Sequence, residues 1–395
     1  LYFLAMALPV AFFLSLPWNP QNCTRELMNY FFGADCWRVL QNLNDSDSVG
    51  HYRDKVHPYF SLFAVSLGKL SSIFFSENSV FLVYRMIFGV GGFFLFWIVV
   101  YKEADGFTAF AATLLLMSTA TVRVWSVIPE TFIFGFFSLM LAVYLIRIKA
   151  DPLFVVLVSL SGTVTNVVLG VLYFFNGKSI REGFFRRILV LLLAIAALSV
   201  FQKAIYPTSV HFFGSSALQE ERGYINRSLA SIPSRAFDFF YSGFVFPVPV
   251  LGSDVVPSKS GWTDEMGIVG TWTFWSDFFS DPVGGYGLGA TSLICLVLVL
   301  VSSMLVYSMY RYAKGVRVVG LSGIVLLFIA FQLCLHMLYG DFPFLYSFHF
   351  VPLIVLFIAL QFPRNVMTPA ALLLLAVALQ LIQGVQLPQI GALLG

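Results

Sequence analysis

Long apolar runs separated by short polar segments dominate this chain. A helix that crosses the hydrocarbon core of a bilayer needs roughly 20 apolar residues, and runs near that length recur about eleven times. The predicted spans lie near residues 1–17, 58–75, 79–101, 107–125, 130–147, 152–175, 185–203, 288–310, 318–338, 345–362 and 367–386. The pattern therefore predicts an all-α polytopic membrane protein with about 11 transmembrane helices.

Two long segments interrupt these runs and divide the chain into three parts. Residues 18–57 are rich in charge and predict a first outer loop, with an interfacial helix at 36–43. Residues 204–287 are aromatic and too long for a simple connector, so we expect a folded outer cap. Its aromatic side chains suit either an interfacial belt or a lid over an acceptor. The remaining parts are a transmembrane module, 1–203, and C-terminal helices, 288–395.

Composition agrees with this pattern. Hydrophobic residues make up 59% of the chain, charged residues 11%, and the mean hydropathy is +0.86. Soluble domains are about a quarter charged, so a soluble globular protein is excluded and membrane lipids are expected partners. The net charge of +3 is small and the basic residues form no single patch, so no nucleic-acid partner is expected.

Basic residues indicate the orientation, because they concentrate on the cytoplasmic side. The clusters are Arg147 and Lys149; Lys178, Arg181, Arg186 and Arg187; Arg311, Lys314 and Arg317; and Arg364. With these inside, segments 18–57 and 204–287 face outward. Such clusters flank both ends of 152–175, which predicts a re-entrant pair of short helices there. A second conflict of sidedness, within 58–101, is left open by the sequence.

Asp35 is the first candidate for chemistry. It follows an apolar stretch and precedes Cys36 and Trp37, so its carboxylate is expected to be partly desolvated. Desolvation raises the proton affinity of a carboxylate, as a general base near neutral pH requires. The alternative role is to cap the predicted helix at 36–43.

Arg53, Lys55 and His57 form a second candidate, directly before the predicted span at 58–75. Cations at a membrane boundary can bind a phosphate or diphosphate. The alternative is interfacial anchoring by long basic side chains. Cations on the outer side run against the usual charge bias, which favours ligand binding.

Asp45 and Asp47 form a D-x-D triplet, which in many sugar transferases holds a metal and a diphosphate. The neighbouring serines and asparagine favour a solvated turn instead. A divalent metal is therefore possible but not required, and no other cofactor is indicated.

Ionisable residues inside or at the ends of spans are further candidates. Glu130 begins one span, and His349 with Tyr346 lies beside the turn near 340, where a substrate could be reached. Of the cysteines, Cys23 and Cys36 share the outer loop, where an oxidising compartment would allow a disulfide.

The order of these motifs resembles the GT-C superfamily of membrane glycosyltransferases, in particular the protein O-mannosyltransferases and the aminoarabinose and arabinosyl transferases of bacterial envelopes. The stretches that carry the resemblance are Gly33-Ala34-Asp35, His57-Pro58-Tyr59-Phe60, Pro129-Glu130-Thr131, Thr163-Val164-Thr165-Asn166 and Phe344-Leu345-Tyr346-Ser347. They cover most of 1–203 and the turn near 340.

This resemblance implies a function at the outer face of a bacterial inner or plasma membrane. The donor would be a polyprenyl-phosphate sugar and the acceptor a hydroxyl on a glycan, lipid or protein. Asp35 would be the base of an inverting transfer and Arg53, with Lys55 or His57, would bind the phosphate. Many relatives carry two adjacent acids where this chain has Asp35 and Cys36. Glu130, Asn166, Tyr346 and His349 would bind substrate.

Two other functions stay open. The first is a transporter or flippase for a lipid-linked or anionic substrate, which internal symmetry and charges buried near mid-bilayer would favour. No repeat is evident, and the charges gather at one surface. The second is a structural subunit of a larger assembly, in which Asp35 would be dispensable. The sequence leaves the sugar, the acceptor and the oligomeric state undetermined.

Overall fold

The computed structural model describes most of the chain. The described residues are 2–16, 36–75, 79–176, 184–211, 219, 222, 225, 231–245, 288–315, 320–340, 343–361 and 367–394. Within these ranges the structure is helical, and the only extended pairing is an isolated bridge between Ile225 and Tyr339. The all-α prediction is confirmed for this part of the chain.

Fifteen α-helices of the described ranges are numbered here in chain order. They are α1 Tyr2–Ser15, α2 Cys36–Asn44, α3 Phe60–Ser72, α4 Val80–Glu103, α5 Gly106–Met117, α6 Ala120–Trp125, α7 Phe132–Arg147, α8 Pro152–Gly162, α9 Val167–Asn176, α10 Phe184–Ile205, α11 Ile232–Tyr241, α12 Leu288–Gly315, α13 Leu321–Leu338, α14 Val351–Gln361 and α15 Met367–Leu394. Helix α4 contains a π-helical turn, Met86–Val90. Two 3₁₀ helices matter for the site, and we name them the 49–55 turn (Val49–Lys55) and the 343–349 turn (Pro343–His349).

Four of the described helices, α4, α10, α12 and α13, contain apolar stretches long enough to cross a bilayer, and the bent pair formed by the 343–349 turn and α14 makes up to five. Apolar side chains project outward from the long helices, including Leu192 and Phe201 on α10 and Val299 on α12. Exposed apolar faces of this kind suit lipid rather than water. The chain is thus an integral membrane protein. The other predicted spans appear as shorter or interrupted helices.

The predicted span at 58–75 contains a shorter helix. Helix α3 has 13 residues and lies alongside α2 instead of standing alone. A Cβ atom on Gly68 would fall 1.7 Å from the backbone oxygen of Leu43, so the two helices are in backbone contact there. Lys69 Nζ also donates to Ser46 Oγ at 3.2 Å.

The interruption predicted within 152–175 is confirmed. Helices α8 and α9 form a hairpin whose turn, Val164–Asn166, is a short 3₁₀ helix. A Cβ on Gly170 would lie 2.6 Å from Val156 Cα, and Tyr173 Oη donates to Ala150 O at 3.2 Å. The start of α8 and the end of α9 therefore lie at the same end of the molecule, as a re-entrant pair requires.

The bundle has two chemically different ends. At one end, which we call the polar end, Arg85 donates to the backbone oxygens of Leu16 and Ser126, and the turns after α8 and α13 lie nearby. At the opposite end Arg147 forms an ion pair with Glu103. Polar backbone and side-chain groups are thus collected where helices begin, end or break.

Residues 231–245 of the predicted cap pack onto the bundle. Backbone N–H groups of Ala120 and Thr121 donate to the carbonyls of Phe244 and Gly243 at 3.1 and 3.0 Å. The Phe239 ring stacks on Phe350 with centroids 3.9 Å apart. Residues 246–287 of the predicted cap lie outside the described residues.

The α2–α3 contact yields a test of the fold. Gly68→Ala places a methyl group against the carbonyl oxygen of Leu43. Because that oxygen belongs to the backbone, the clash is relieved only if α3 moves. We expect the substitution to lower the free energy of unfolding by about 1–3 kcal/mol, the usual cost of overpacking. The measurement is thermal unfolding in detergent. Gly315→Ala, where a Cβ meets nothing within 4 Å, is the matched control, and equal midpoints for the two variants would show that α2 and α3 are not in contact.

Candidate functional site

His57 is the centre of the candidate site. Its Nδ1 lies 3.1 Å from the carbonyl oxygen of Gly162 at the end of α8. A carbonyl only accepts, so Nδ1 carries the proton and Nε2 is left as an acceptor. The hydroxyl of Thr131, at the start of α7, lies 3.4 Å from both ring nitrogens. Val164 N also donates to Val56 O at 3.0 Å. A backbone hydrogen bond therefore also joins the α8–α9 hairpin to the first outer loop, residues 18–57, which we call the polar loop.

Glu130 precedes Thr131, the residue whose hydroxyl lies beside the His57 ring. It is buried, with 4% of its surface exposed, and its Oε2 accepts the Thr131 N–H at 3.0 Å. Tyr84, on α4, donates to the Glu130 carbonyl at 3.4 Å and accepts from Phe134 N at 3.3 Å. The sequence Pro129-Glu130-Thr131 thus places a carboxylate and a hydroxyl at the head of α7, facing the polar loop.

Asn166 and His349 meet on the other side of the site. Asn166 Nδ2 donates to His349 Nδ1 at 3.3 Å, and Asn166 Oδ1 lies 3.5 Å from Gln332 Nε2. The His349 ring fits against Gly135 of α7, where a Cβ would come within 2.8 Å of its Cε1. Phe132 meets the same ring edge to face at 5.8 Å. We name His57, Glu130, Thr131, Asn166, Gln332 and His349 the central polar cluster.

His336 and Tyr346 extend the cluster toward α11. Their rings stack with centroids 4.8 Å apart. Arg235 of α11 donates to the His336 carbonyl at 3.4 Å. Tyr346, a predicted substrate-binding residue, thus packs against a histidine of α13.

Cations border the cluster on the polar loop. Arg38 of α2 is 2% exposed and Lys55 is 6% exposed, and the Lys55 ammonium lies 5.5 Å above the Tyr52 ring. Burial, and then the positive charges of Arg38 and Arg53, hold the pKa of His57 well below its ordinary value. His57 is therefore a neutral imidazole at pH 7, and Arg38 and Arg53 are the cations whose charges act on it.

A second group of buried side chains lies beneath the 49–55 turn. Ser61 Oγ is 2.6 Å from Asp54 Oδ1 and 2.6 Å from His51 Nδ1. Burial raises the pKa of Asp54 to about 6, while the Ser61, Ser209 and Gln202 side chains act in the opposite direction. Burial also lowers the pKa of His51.

The remaining predicted residues are placed as follows. Asp35 lies outside the described residues, although its neighbour Cys36 begins α2 and is disulfide-bonded. Cys295 and Cys334 are free thiols; Cys23, the predicted partner of Cys36, is outside the described ranges.

The D-x-D triplet at Asp45 and Asp47 forms the expected turn, in which Asp45 Oδ1 accepts from Asp47 N at 2.8 Å. Among the described residues no group of three or more His, Cys, Asp or Glu could hold a metal.

Sequence reasoning missed Arg38, Thr131 and Gln332 as members of the site. Arg38 was recoverable, because buried positions 38, 39, 42 and 43 follow the spacing of one helical face. That spacing places a guanidinium on the inner face of α2. Thr131 and Gln332 carry no comparable signal, since single hydroxyl and amide groups on apolar helices are common.

Comparison with known proteins adds no relative. No family model, no curated protein and no solved structure matches the chain.

The state of His57 gives a test by pH. Its pKa is lowered in the folded protein, so its contribution to stability is complete above the ordinary value of 6.5 and is lost as the pH falls toward the lowered value. Below pH 6.5 this residue alone should reduce the free energy of unfolding by about 1.4 kcal/mol per pH unit. In His57→Gln, the free energy of unfolding should therefore change less steeply with pH, by that amount, when unfolding is measured across this range. His211→Gln, at an exposed position, is the control, and identical slopes in wild type and His57→Gln would contradict a buried neutral imidazole.

Proposed function

We propose that this protein is a GT-C-type membrane glycosyltransferase that moves a sugar from a polyprenyl-phosphate donor to an acceptor hydroxyl. One observation carries the proposal: stretches far apart in sequence, at His57, Glu130, Asn166 and His349, meet in one buried cluster at the polar end. His57, Glu130 and Asn166 belong to three of the five stretches on which the resemblance rests, and His349 lies just after the fourth; the fifth, Gly33-Ala34-Asp35, lies outside the described residues. Buried polar groups gathered in this way are costly unless they are satisfied or used.

The charges at the polar end suit a lipid-linked phosphate. The polar end carries three cations: Arg38, Arg53 and Lys55. The basic cluster of Arg147 and Lys149 lies at the opposite end of the bundle. With the opposite end cytoplasmic, the cluster faces outward, where a lipid phosphate would approach from the bilayer. Guanidinium and ammonium groups bind phosphate through charge-assisted hydrogen bonds.

The reaction follows from these roles. Asp35 removes the proton of the acceptor hydroxyl, and the oxygen attacks the anomeric carbon of the sugar. The bond from that carbon to the phosphate oxygen breaks, with inversion, and the bonding electron pair leaves with the polyprenyl phosphate. Negative charge grows on this phosphate in the transition state, so the cations of the polar loop stabilise it most at that point. Glu130, Asn166 and His349 supply acceptors and donors for sugar hydroxyls.

A second candidate is a transporter or flippase, and one feature of the fold favours it. Two interrupted helical pairs meet at Asn166 and His349. The first pair is α8 with α9. The second is the 343–349 turn with α14, and the axes of these two helices are bent by 52°. Broken helices that meet around a polar site are common in transporters. Purified protein in liposomes separates the two functions, because transport moves the labelled lipid-linked sugar intact, whereas transfer cleaves it from its phosphate.

Asp35→Asn tests the base. The amide keeps the size of the side chain but cannot accept the acceptor's proton, so turnover with a labelled polyprenyl-phosphate sugar should fall by about a hundredfold or more. Asp151→Asn is the matched control, because Asp151 caps α8 from the opposite end and Asn caps equally well. Unchanged turnover in folded Asp35→Asn protein would remove Asp35 from the mechanism.

Arg53→Ala tests the phosphate contact. Loss of a charge-assisted hydrogen bond costs about 1.5–3 kcal/mol, so the donor KM should rise about tenfold or more, with the acceptor KM unchanged. Arg311→Ala removes the same charge from an exposed position on α12 and serves as control. Equal donor KM values for both variants would argue against a phosphate at Arg53.

A further inference from the structure

Three buried side chains beneath the 49–55 turn are linked by two very short contacts. His51 and Ser61 are fully buried and Asp54 is 1% exposed. Ser61 Oγ lies 2.6 Å from His51 Nδ1 and 2.6 Å from Asp54 Oδ1. The other ring nitrogen of His51, Nε2, lies 3.0 Å from the carbonyl oxygen of Asp45. None of these residues belongs to the central polar cluster.

The contacts fix the number of protons. The Asp45 carbonyl only accepts, so His51 Nε2 carries a proton and a neutral His51 has only a lone pair at Nδ1. Each gap of 2.6 Å needs a proton between its two atoms. Ser61 supplies one proton, and the second must sit on His51 Nδ1 or on Asp54 Oδ1. The three side chains therefore hold one proton beyond the serine's own.

We propose that His51, Ser61 and Asp54 form a proton-sharing site that keeps the 49–55 turn docked while it holds this additional proton. The proton has two positions. In one, His51 is an imidazolium that donates to Ser61, and Ser61 donates to the Asp54 carboxylate. In the other, the His51 proton has moved to Ser61 Oγ while the serine's own proton has moved to Asp54, and both end groups are neutral. The net charge is the same in both.

Loss of the proton breaks the arrangement. Ser61 then donates to the Asp54 carboxylate, and the lone pairs of Ser61 Oγ and His51 Nδ1 face each other across 2.6 Å. Both groups are buried, so the missing donor leaves two acceptors in unfavourable contact, and we expect the turn to move away from α3. The site thus couples one protonation event to the position of the segment that carries Arg53 and Lys55.

Neighbouring elements hold the site from several sides. The titratable and charged groups that face it are Arg38 on α2, Asp45 and Asp47 in the turn after α2, and Tyr206 after α10. The Tyr206 ring lies 4.9 Å from that of His51, and Thr208 Oγ1 donates to the Ser48 carbonyl at 2.6 Å. Release of the turn therefore also loosens its contact with the segment after α10.

The direction of the pH effect follows from Asp54. Its pKa is raised to about 6 in the folded protein, so the stability it contributes is complete below its unfolded pKa and is lost as the pH rises through about 6. The turn should be docked in mildly acidic solution and looser in alkaline solution. His51, whose pKa is lowered by burial, favours the position with the proton on Asp54.

Infrared difference spectroscopy of the full-length protein in detergent tests the proton directly. At about pH 5, between the unfolded and folded pKa values of Asp54, we expect the C=O band of a protonated buried carboxyl group. The band should disappear in Asp54→Asn and persist in Asp151→Asn. If wild type and Asp54→Asn have the same carboxyl bands at that pH, and wild type shows no ring band of an imidazolium at His51 either, neither position holds the additional proton and the proposal is overturned.

Hydrogen–deuterium exchange tests the docking. Corrected for intrinsic rates, exchange of residues 49–55 in wild type should become about fivefold faster between about pH 5 and about pH 8, the factor that corresponds to one lost hydrogen bond. The side-chain amide introduced by Asp54→Asn donates permanently to Ser61, so this variant should stay slow throughout, and Asp54→Ala should be fast throughout. The same pH dependence in wild type and Asp54→Asn would contradict the proposal.

The consequence for the sugar donor rests on the proposed function, whereas the proton-sharing site does not. Both measurements above need no substrate, so they succeed or fail independently of glycosyl transfer. If donor turnover is found, the donor KM of wild type should rise as the pH passes about 6 and that of Asp54→Asn should not. A pH-dependent turn with a donor KM that does not change would separate this site from donor binding.

Discussion

The structure depends on one constraint: polar groups inside an apolar body must find partners within the protein. The His57 ring satisfies it at the point where three parts of the chain meet, with its Nδ1 on the Gly162 carbonyl and the Thr131 hydroxyl beside it. Each part ends or breaks a helix there, which leaves backbone groups to be bonded. The site exists where it does because that is where the helices stop.

Close packing makes this meeting possible. Gly135 and Gly162 lie where α7, α8 and His349 approach one another, and a Cβ on Gly162 would come 2.3 Å from Ser138 Oγ. Any larger side chain would push α8 from α7 and separate His57 from its carbonyl partner. On the loop side, Gly50 leaves room for Arg38 and Asn42 in the same manner. Small residues thus set the distances between groups that carry the charge and hydrogen bonding of the site.

Two buried systems of different kinds lie side by side at the polar end. The central polar cluster combines the Glu130 carboxyl group with hydroxyl, amide and imidazole groups, and burial and the nearby arginines lower the pKa of its His57. The group beneath the 49–55 turn contains an acid, a hydroxyl and an imidazole in a row, which brings a titrating proton into the interior. The 49–55 turn connects them, because Arg53 and Lys55 follow His51 within the same 3₁₀ helix.

The sequence by itself determined the membrane class, the positions of most helices, the break near Gly162 and the turn at Asp45, because hydropathy, glycine and Asx chemistry act locally. It also selected His57, Glu130, Asn166 and His349 as candidates, although nothing local showed that they touch. Only the tertiary structure decided that α3 lies against α2, and that Arg38 and the His51–Ser61–Asp54 row are buried. Burial and proton sharing depend on what surrounds a side chain from every direction, and that information is spread over segments far apart in the chain.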